Sequence, residues 1–307
     1  MSDKALPPTI SHKQIRAVLD RYRITNGKKF RLKDHDPNDT AGYSLDKPEA
    51  STMLEAGVKQ LSEYQDMLNA QDRWAMLCVF QAMDAAGKDG TIKHVMSGVN
   101  PQGVHVTAFK APGPEDLDHD FLWRVHRALP ERGRIGIFNR SHYEEVLVVR
   151  VHPEILERQH LPAELVSKKI WRERLEAIAA YEHYLFRQGT IVLKFFLNVS
   201  RKEQKKRFME RLDNPEKNWK FNAGDLNERA HWDEYQAAYQ HAISATAAPH
   251  APWYVVPADN KWFTRLVVVA AMTEALGKLN LHYPTVPPTE HAELAAAREK
   301  LMAENGC

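Results

Sequence analysis

The sequence predicts an α/β protein: a three-layer sandwich with helices on both faces of a mainly parallel five-stranded sheet. Three features predict it. Five short apolar runs alternate with segments of helical period, the order that successive βα units produce. The runs at 74–80 and 191–199 are apolar almost throughout, as strands covered on both faces are. The first run ends in a small-residue loop, Ala85-Ala86-Gly87-Lys88, directly before a helical segment. Strand, small loop, Gly-Lys and helix form the context of a phosphate-cradling P-loop.

Residues 1–46 read as a polar, irregular N-terminal extension around Asp34-His35-Asp36-Pro37-Asn38-Asp39, a cluster suited to Asx turns. The P-loop domain would span 47–280. Its first helix, 47–70, carries Leu54, Val58, Leu61, Tyr64 and Leu68 at helical spacing. Trp74 to Phe80 is the first strand, and the P-loop and its helix follow. Gly98 and Asn100-Pro101 break that helix. Val104 to Phe109 alternates and is rich in β-branched residues, which gives a second strand. Residues 115–129 read as one helix with an acidic start. Arg134 to Phe138 is a third strand, running into Asn139-Arg140-Ser141-His142-Tyr143-Glu144-Glu145-Val146. A helix over 162–188, a strand from Ile191 to Val199, a basic segment of about 200–250, a strand at Trp253–Val256 and a helix over 261–279 complete the domain. Residues 281–307 read as a peripheral tail with an Ala- and Glu-rich helix.

Composition narrows the function. The chain has 307 residues, 43% hydrophobic and 27% charged, the balance of a soluble globular protein. A net charge of +2 excludes a broad polycationic surface, so neither nucleic acid nor membrane is expected as a partner. Two cysteines, Cys78 and Cys307, make no disulfide framework, and a reducing cytoplasm fits. No signal peptide is expected, and no apolar stretch reaches membrane-spanning length.

The candidate site lies where strand ends meet the P-loop. The match to G-x-x-x-x-G-K-[ST] is partial, because Ala82 stands at the first Gly and Asp89 at the Ser/Thr. The amides around Ala85, Ala86, Gly87, Lys88, Asp89, Gly90 and Thr91 would face an anion, with Lys88 as the full charge. Arg140 can hold a second phosphate with two prongs. A carboxylate inside an anion-binding loop calls for a cation between the two, so Asp84 reads as a metal ligand or as a base toward an acceptor phosphate. Glu144 and Glu145 are the further metal candidates. Mg²⁺ suits such oxygen donors. His142 and Tyr143 could stack or hydrogen-bond, and packing roles are open for both. The cations of 201–220 would usually be a solvated face, but their position between two strands, on the crevice side, argues for a lid over about 200–250.

Three motifs together resemble the polyphosphate kinase 2 family. They are Asp84 through Lys93, Phe138 through Val146, and Lys202 through Phe208 continuing at Asn218-Trp219-Lys220-Phe221; His231-Trp232-Asp233-Glu234-Tyr235 also matches. The likeness covers most of residues 30–265. Val95 through Gly103 is similar to the subgroup acting on both AMP and ADP. The resemblance implies a thymidylate-kinase-like P-loop fold with a helical lid. It implies a cytoplasmic, Mg²⁺-dependent phosphotransferase, with Mn²⁺ as a substitute. Such an enzyme moves the terminal phosphate of inorganic polyphosphate reversibly onto AMP or ADP to give ADP or ATP; GMP and GDP stay open as acceptors. By carry-over, Asp84, Lys88, Arg140 and Glu144 are catalytic. Lys93, Arg207, Arg211 and Lys220 join the phosphate contacts, and Asn139, Ser141, His142 and Tyr143 face the nucleotide. Assembly as a homodimer or homotetramer is expected. Two other readings stand beside this one: an ATP-dependent nucleotide kinase on the same fold, and a non-catalytic polyphosphate- or nucleotide-binding regulator.

Overall fold

The structure, a computed structural model, describes residues 12–304. Its sheet has six strands: β1 (Arg23–Ile24), β2 (Ala75–Ala82), β3 (Val104–Ala108), β4 (Ile135–Asn139), β5 (Thr190–Asn198) and β6 (Trp253–Pro257). Their order is β1-β6-β5-β2-β4-β3. All pairs are parallel except β1 with β6, where Arg23 faces Tyr254 and Ile24 faces Trp253. Cys78 sits at the sheet centre, opposite Ile137 on one side and Leu193 on the other. Every residue of β2 and β6 is buried, whereas the edge strand β3 is largely exposed. That contrast follows from helices covering both faces of the central strands.

One face is covered by helices Lys47–Gln71, Lys88–Met96 and Lys261–Gly277, with His12–Tyr22 beside the last. Ile170–Arg187 and Trp232–Thr246 pack together on the other. The long first-face helix starts at a capping box, in which Asp46 and Glu49 satisfy each other's backbone amides. The chain leaves β2 toward β3 on one side, returns to fill β4, then crosses to β5 on the opposite side of β2. This reversal opens a crevice at the C-terminal ends of β2 and β4, the place where α/β sheets bind ligands.

Three stretches differ from the sequence expectation, one of them the helix expected over 162–188, which starts only at Ile170. Residues 12–46 are not an irregular extension, and the part before residue 12 lies outside the described residues. They carry a helix and the antiparallel sixth strand, and Leu19, Tyr22, Phe30 and Leu32 are buried in the main core. A two-residue strand is too short for a period to show. The acidic cluster does form Asx turns, with Asp36 accepting from the Asn38 amide and Asp39 from that of Ala41. The 115–129 helix is two short pieces, Pro114–Leu117 and Trp123–Arg127. Between them Asp120 takes the Leu122 amide on its own side chain and so competes with the helix ladder.

Candidate active site

β2 delivers the chain into a tight loop, Met83 to Gly87, before helix Lys88–Met96. Ala85 (φ 58°) and Gly87 (φ 105°) both take left-handed conformations. Gly87 supplies that geometry without a Cβ penalty. It caps the helix with no side-chain bond, and the first ladder bond runs from the Thr91 amide to the Gly87 carbonyl. The amides of the first turn therefore remain for an anion, reinforced by the helix dipole. Lys88 Nζ donates to the Ala82 carbonyl at 3.0 Å. Burial, then the neighbouring Arg140, push its pKa below the ordinary lysine value, against the pull of Asp84, Glu144 and Asp89.

β4 ends opposite this loop. Arg140 follows it in a left-handed conformation (φ 64°), with its amide bonded to the Phe80 carbonyl of β2. The turn aims the guanidinium at two carboxylates, Asp84 at 3.1 Å and Glu144 at 3.4 Å. Burial raises the pKa of Glu144 even though Arg140 and Lys88 both favour its charged form. Asp84, Arg140 and Glu144 line a cavity of about 290 Å³. Its other walls include Gln204, Asn222, Asp225, Glu228 and Arg229 of the basic segment, and Tyr235 and Tyr239 of the next helix.

The family model described as Polyphosphate kinase 2 matches residues 44–283. The chain belongs to the polyphosphate kinase 2 family. A Rhodopseudomonas palustris protein named ADP-polyphosphate phosphotransferase is 47% identical over 283 residues, 92% of this chain and 98% of the relative. A Meiothermus ruber protein named AMP/ADP-polyphosphate phosphotransferase is 44% identical over 93% of this chain and all of its own length. Among solved structures, polyphosphate kinase 2 from Arthrobacter aurescens superposes with a TM-score of 0.82 at 41% identity, covering 90% of this chain and 95% of that one.

Within this polyphosphate kinase 2 fold the expected residues divide into two groups. Asp84, Lys88, Arg140 and Glu144 come together as anticipated. Ala85, Ala86, Gly87, Asp89 and Gly90 surround them, and Asn139 donates to Asp89 at 2.6 Å across the mouth of the loop. Thr91 is buried with its amide already bonded, and Lys93 points to solvent one turn along. Neither lines the cavity.

Five other assignments are corrected by burial. Glu145 turns away from Glu144 and bonds to Arg174 at 3.0 Å and Gln159 at 2.7 Å, so it is no metal ligand. Ser141, His142 and Tyr143 are sealed inside and cannot touch a nucleotide. Ser141 caps the turn through the Tyr143 amide. The Tyr143 hydroxyl donates to Glu182, which pairs with Lys194 at the centre of β5. Burial acts to raise the pKa of Glu182, and Lys194 and His142 together outweigh it, leaving it below the usual range. Together these groups form a buried polar anchor beneath the turn that carries Arg140 and Glu144. Arg207, assigned to the polyphosphate path, is 5% exposed and spends its donors on backbone carbonyls. Arg211 pairs with Asp225 at 3.3 Å, and Lys220 lies over the exposed Trp219 ring.

The cavity walls Asp225, Glu228 and Arg229 were not picked out from the sequence. Their i, i+3, i+4 spacing on helix Gly224–Ala230 is a signal that would have found them. Glu228 accepts from both Tyr235 and His152, which ties that helix to the body of the domain. Among the described residues no helix is long and apolar enough to cross a membrane.

Proposed function

We propose that this enzyme is a polyphosphate:nucleotide phosphotransferase, moving the terminal phosphoryl group of inorganic polyphosphate onto AMP or ADP and running the transfer in reverse. The observation that carries the reading is the meeting of Arg140 with the two carboxylates Asp84 and Glu144 on one cavity, at the end of the P-loop whose Lys88 reaches the Ala82 carbonyl beside them. The names of the relatives support the choice of donor and acceptor.

In such a transfer the bond between the last phosphorus of the donor and its bridging oxygen breaks. A new bond forms from an acceptor phosphate oxygen, and the polymer leaves one phosphate shorter. The attacking oxygen is already ionised at neutral pH, so the protein need not supply a strong base. Its work is to hold several negative phosphates in line and to balance their charge. The P-loop amides and Lys88 are suited to one phosphate. Arg140, freed from Asp84 and Glu144, is suited to grip the transferring group with two prongs. The two carboxylates it releases would then face the phosphates.

That exchange makes a divalent cation the natural companion. Among the described residues no three His, Cys, Asp or Glu side chains form a dedicated metal cage. Two carboxylates beside an anion site nonetheless fit Mg²⁺, which keeps waters and takes ligands from substrate phosphates. Asp84 and Glu144 would hold it, and Mn²⁺ offers the same preference for oxygen. Bound there, the ion would neutralise charge on the phosphates. We place the enzyme in the cytoplasm, in keeping with the free, buried thiol of Cys78, and propose a homo-oligomer, which size-exclusion chromatography with light scattering would test.

The deciding experiment incubates the protein with AMP or ADP, Mg²⁺ and either polyphosphate or ATP, and follows ADP and ATP by chromatography. Product from polyphosphate supports the reading. Product from ATP alone assigns an ATP-dependent nucleotide kinase.

A further inference from the structure

Helix Arg201–Asp213 turns Arg201, Lys202, Lys205 and Lys206 to solvent and buries Gln204 and Arg207. What the buried pair touches is the P-loop. Gln204 Nε2 donates to the Asp84 carbonyl at 2.9 Å. Arg207 Nη1 donates to the carbonyls of Ala85 at 3.1 Å and Ala86 at 2.7 Å. Its Nη2 reaches the carbonyls of Ala258 at 2.6 Å and Asp259 at 3.2 Å, just beyond β6. Glu203 braces the guanidinium from the same helix at 2.9 Å. Three consecutive P-loop carbonyls are thus held from one side by a single helix.

A trans peptide sets its N–H opposite its C=O. Pulling the carbonyls of 84, 85 and 86 toward helix Arg201–Asp213 therefore turns the amides of the following residues away from it. One of these, Ala86, is already bonded to the Met83 carbonyl. The amides of Ala85 and Gly87 are left to face outward. The left-handed geometry at Ala85 is unfavourable for a residue with a Cβ and persists only where its surroundings impose it. The two side chains supply that constraint.

We propose that Gln204 and Arg207 are positioning residues: they clamp the P-loop carbonyls and hold its amides in anion-binding shape, Arg207 from outside the cavity and Gln204 from its wall. The proposal rests on the phosphotransferase reading above for its kinetic consequence, and on the geometry alone for its structural one. It also links the loop to the cavity wall, because Gln204 Oε1 accepts from Arg229, which lines the cavity. A substrate that draws Arg229 away would alter the partner of a residue holding the P-loop.

The test uses Arg207→Lys, Arg207→Ala and Gln204→Leu in the full chain. A misplaced phosphate cradle costs turnover more than affinity. Turnover should fall about tenfold to a hundredfold in each variant. KM for polyphosphate, and its dependence on salt, should stay within about twofold. Free guanidinium should restore part of the activity of Arg207→Ala and none of that of Gln204→Leu. Exchange of the Ala86 amide, the one bonded within residues 83–90 to the Met83 carbonyl, should accelerate in every variant. A polyphosphate KM raised tenfold with a flattened salt response would overturn the proposal, since Arg207 would then grip the polymer. Unchanged exchange of the Ala86 amide would overturn it equally. Should Arg207→Ala not fold, Gln204→Leu decides, because it leaves the bonds of Arg207 in place and removes only the bond to the Asp84 carbonyl and the one from Arg229. Should the wild type show no polyphosphate-dependent turnover, the functional reading fails, and the exchange measurement still judges the clamp.

Discussion

Arg140 offers the sharpest test of the site, because its cost to the fold and its value to the reaction separate. The residue sits at φ 64°, which costs a side chain with a Cβ about 1 kcal/mol. Its two ion pairs join a side chain that is 43% exposed to partners that are 26% and 16% exposed. Pairs with that much solvent contribute no more than about 1 kcal/mol. Arg140→Gly relieves the backbone and removes the pairs, so the two effects nearly cancel. Its melting temperature should stay within about 2–4 °C of wild type. Arg140→Lys keeps a charge and loses the planar two-pronged grip. If the guanidinium stabilises charge on the transferring phosphoryl group, either change should lower kcat by about a hundredfold to a thousandfold, the scale for removing one such donor. The assay is initial-rate formation of ADP from AMP and polyphosphate at saturating Mg²⁺, beside thermal unfolding of the same preparations. A lysine variant retaining a third of the activity would refute the two-pronged role. A glycine variant melting 10 °C lower would show that Arg140 is structural.

Further outcomes follow from the same geometry. Asp84→Asn should cut turnover about a hundredfold while polyphosphate binding by calorimetry stays close to wild type, and near-normal rates at saturating Mg²⁺ would remove Asp84 from the metal site. Glu144→Gln should abolish turnover and raise the melting temperature near pH 7–8. Burial holds the folded-state pKa of Glu144 above its unfolded value, so wild-type stability falls as pH rises between the two; the variant's advantage should vanish below about pH 4, where both states are protonated, and a pH-independent difference would contradict this. Replacing Arg211 and Lys220 together with Gln should raise KM for long polyphosphate more than KM for AMP and flatten its salt dependence, whereas equal effects on both substrates would indicate a general closure defect. Lys194→Met leaves Glu182 buried without its partner and should cost about 3–5 kcal/mol in denaturant unfolding; adding Glu182→Gln should recover much of that, and no recovery would mean that the pair is not the unit.

The central sheet was legible because its strands obey one strong rule. β2, β5 and β6 are covered on both faces, so nearly every position must be apolar, and the runs show at a glance. The P-loop was legible because a strand, a turn that needs glycine and a helix start all coincide there. What escaped has a physical reason in each case. β1 consists of Arg23 and Ile24 alone, and its place in the sheet comes from pairing with β6 over two hundred residues away. Leu19, Tyr22, Phe30 and Leu32 join the core from a segment whose charged residues mask its few apolar anchors. The 115–129 segment has helical spacing but also Asp120, whose side chain offers the backbone a competing partner.

The site was legible where residue type fixes role and illegible where role depends on direction. A carboxylate inside an anion-binding loop and an arginine at the end of a neighbouring strand have few uses, and Asp84 and Arg140 do meet at 3.1 Å. Glu144 and Glu145 are chemically alike and adjacent, yet the 3-10 turn His142–Val146 sends one to the cavity and the other to Arg174. No composition rule separates them. The same holds for the cations of helix Arg201–Asp213. Arg207 shares its residue type with Arg211, but it falls on the face that carries Gln204 and Phe208 into the interior. An arginine is costly to bury unless its charge is paired and its donors are bonded. Glu203 and four backbone carbonyls meet that requirement for Arg207, and two of those carbonyls belong to the P-loop. Its position in the basic segment therefore reflects how the phosphate cradle is held open, while the charge that polyphosphate would meet must come from residues left facing the solvent.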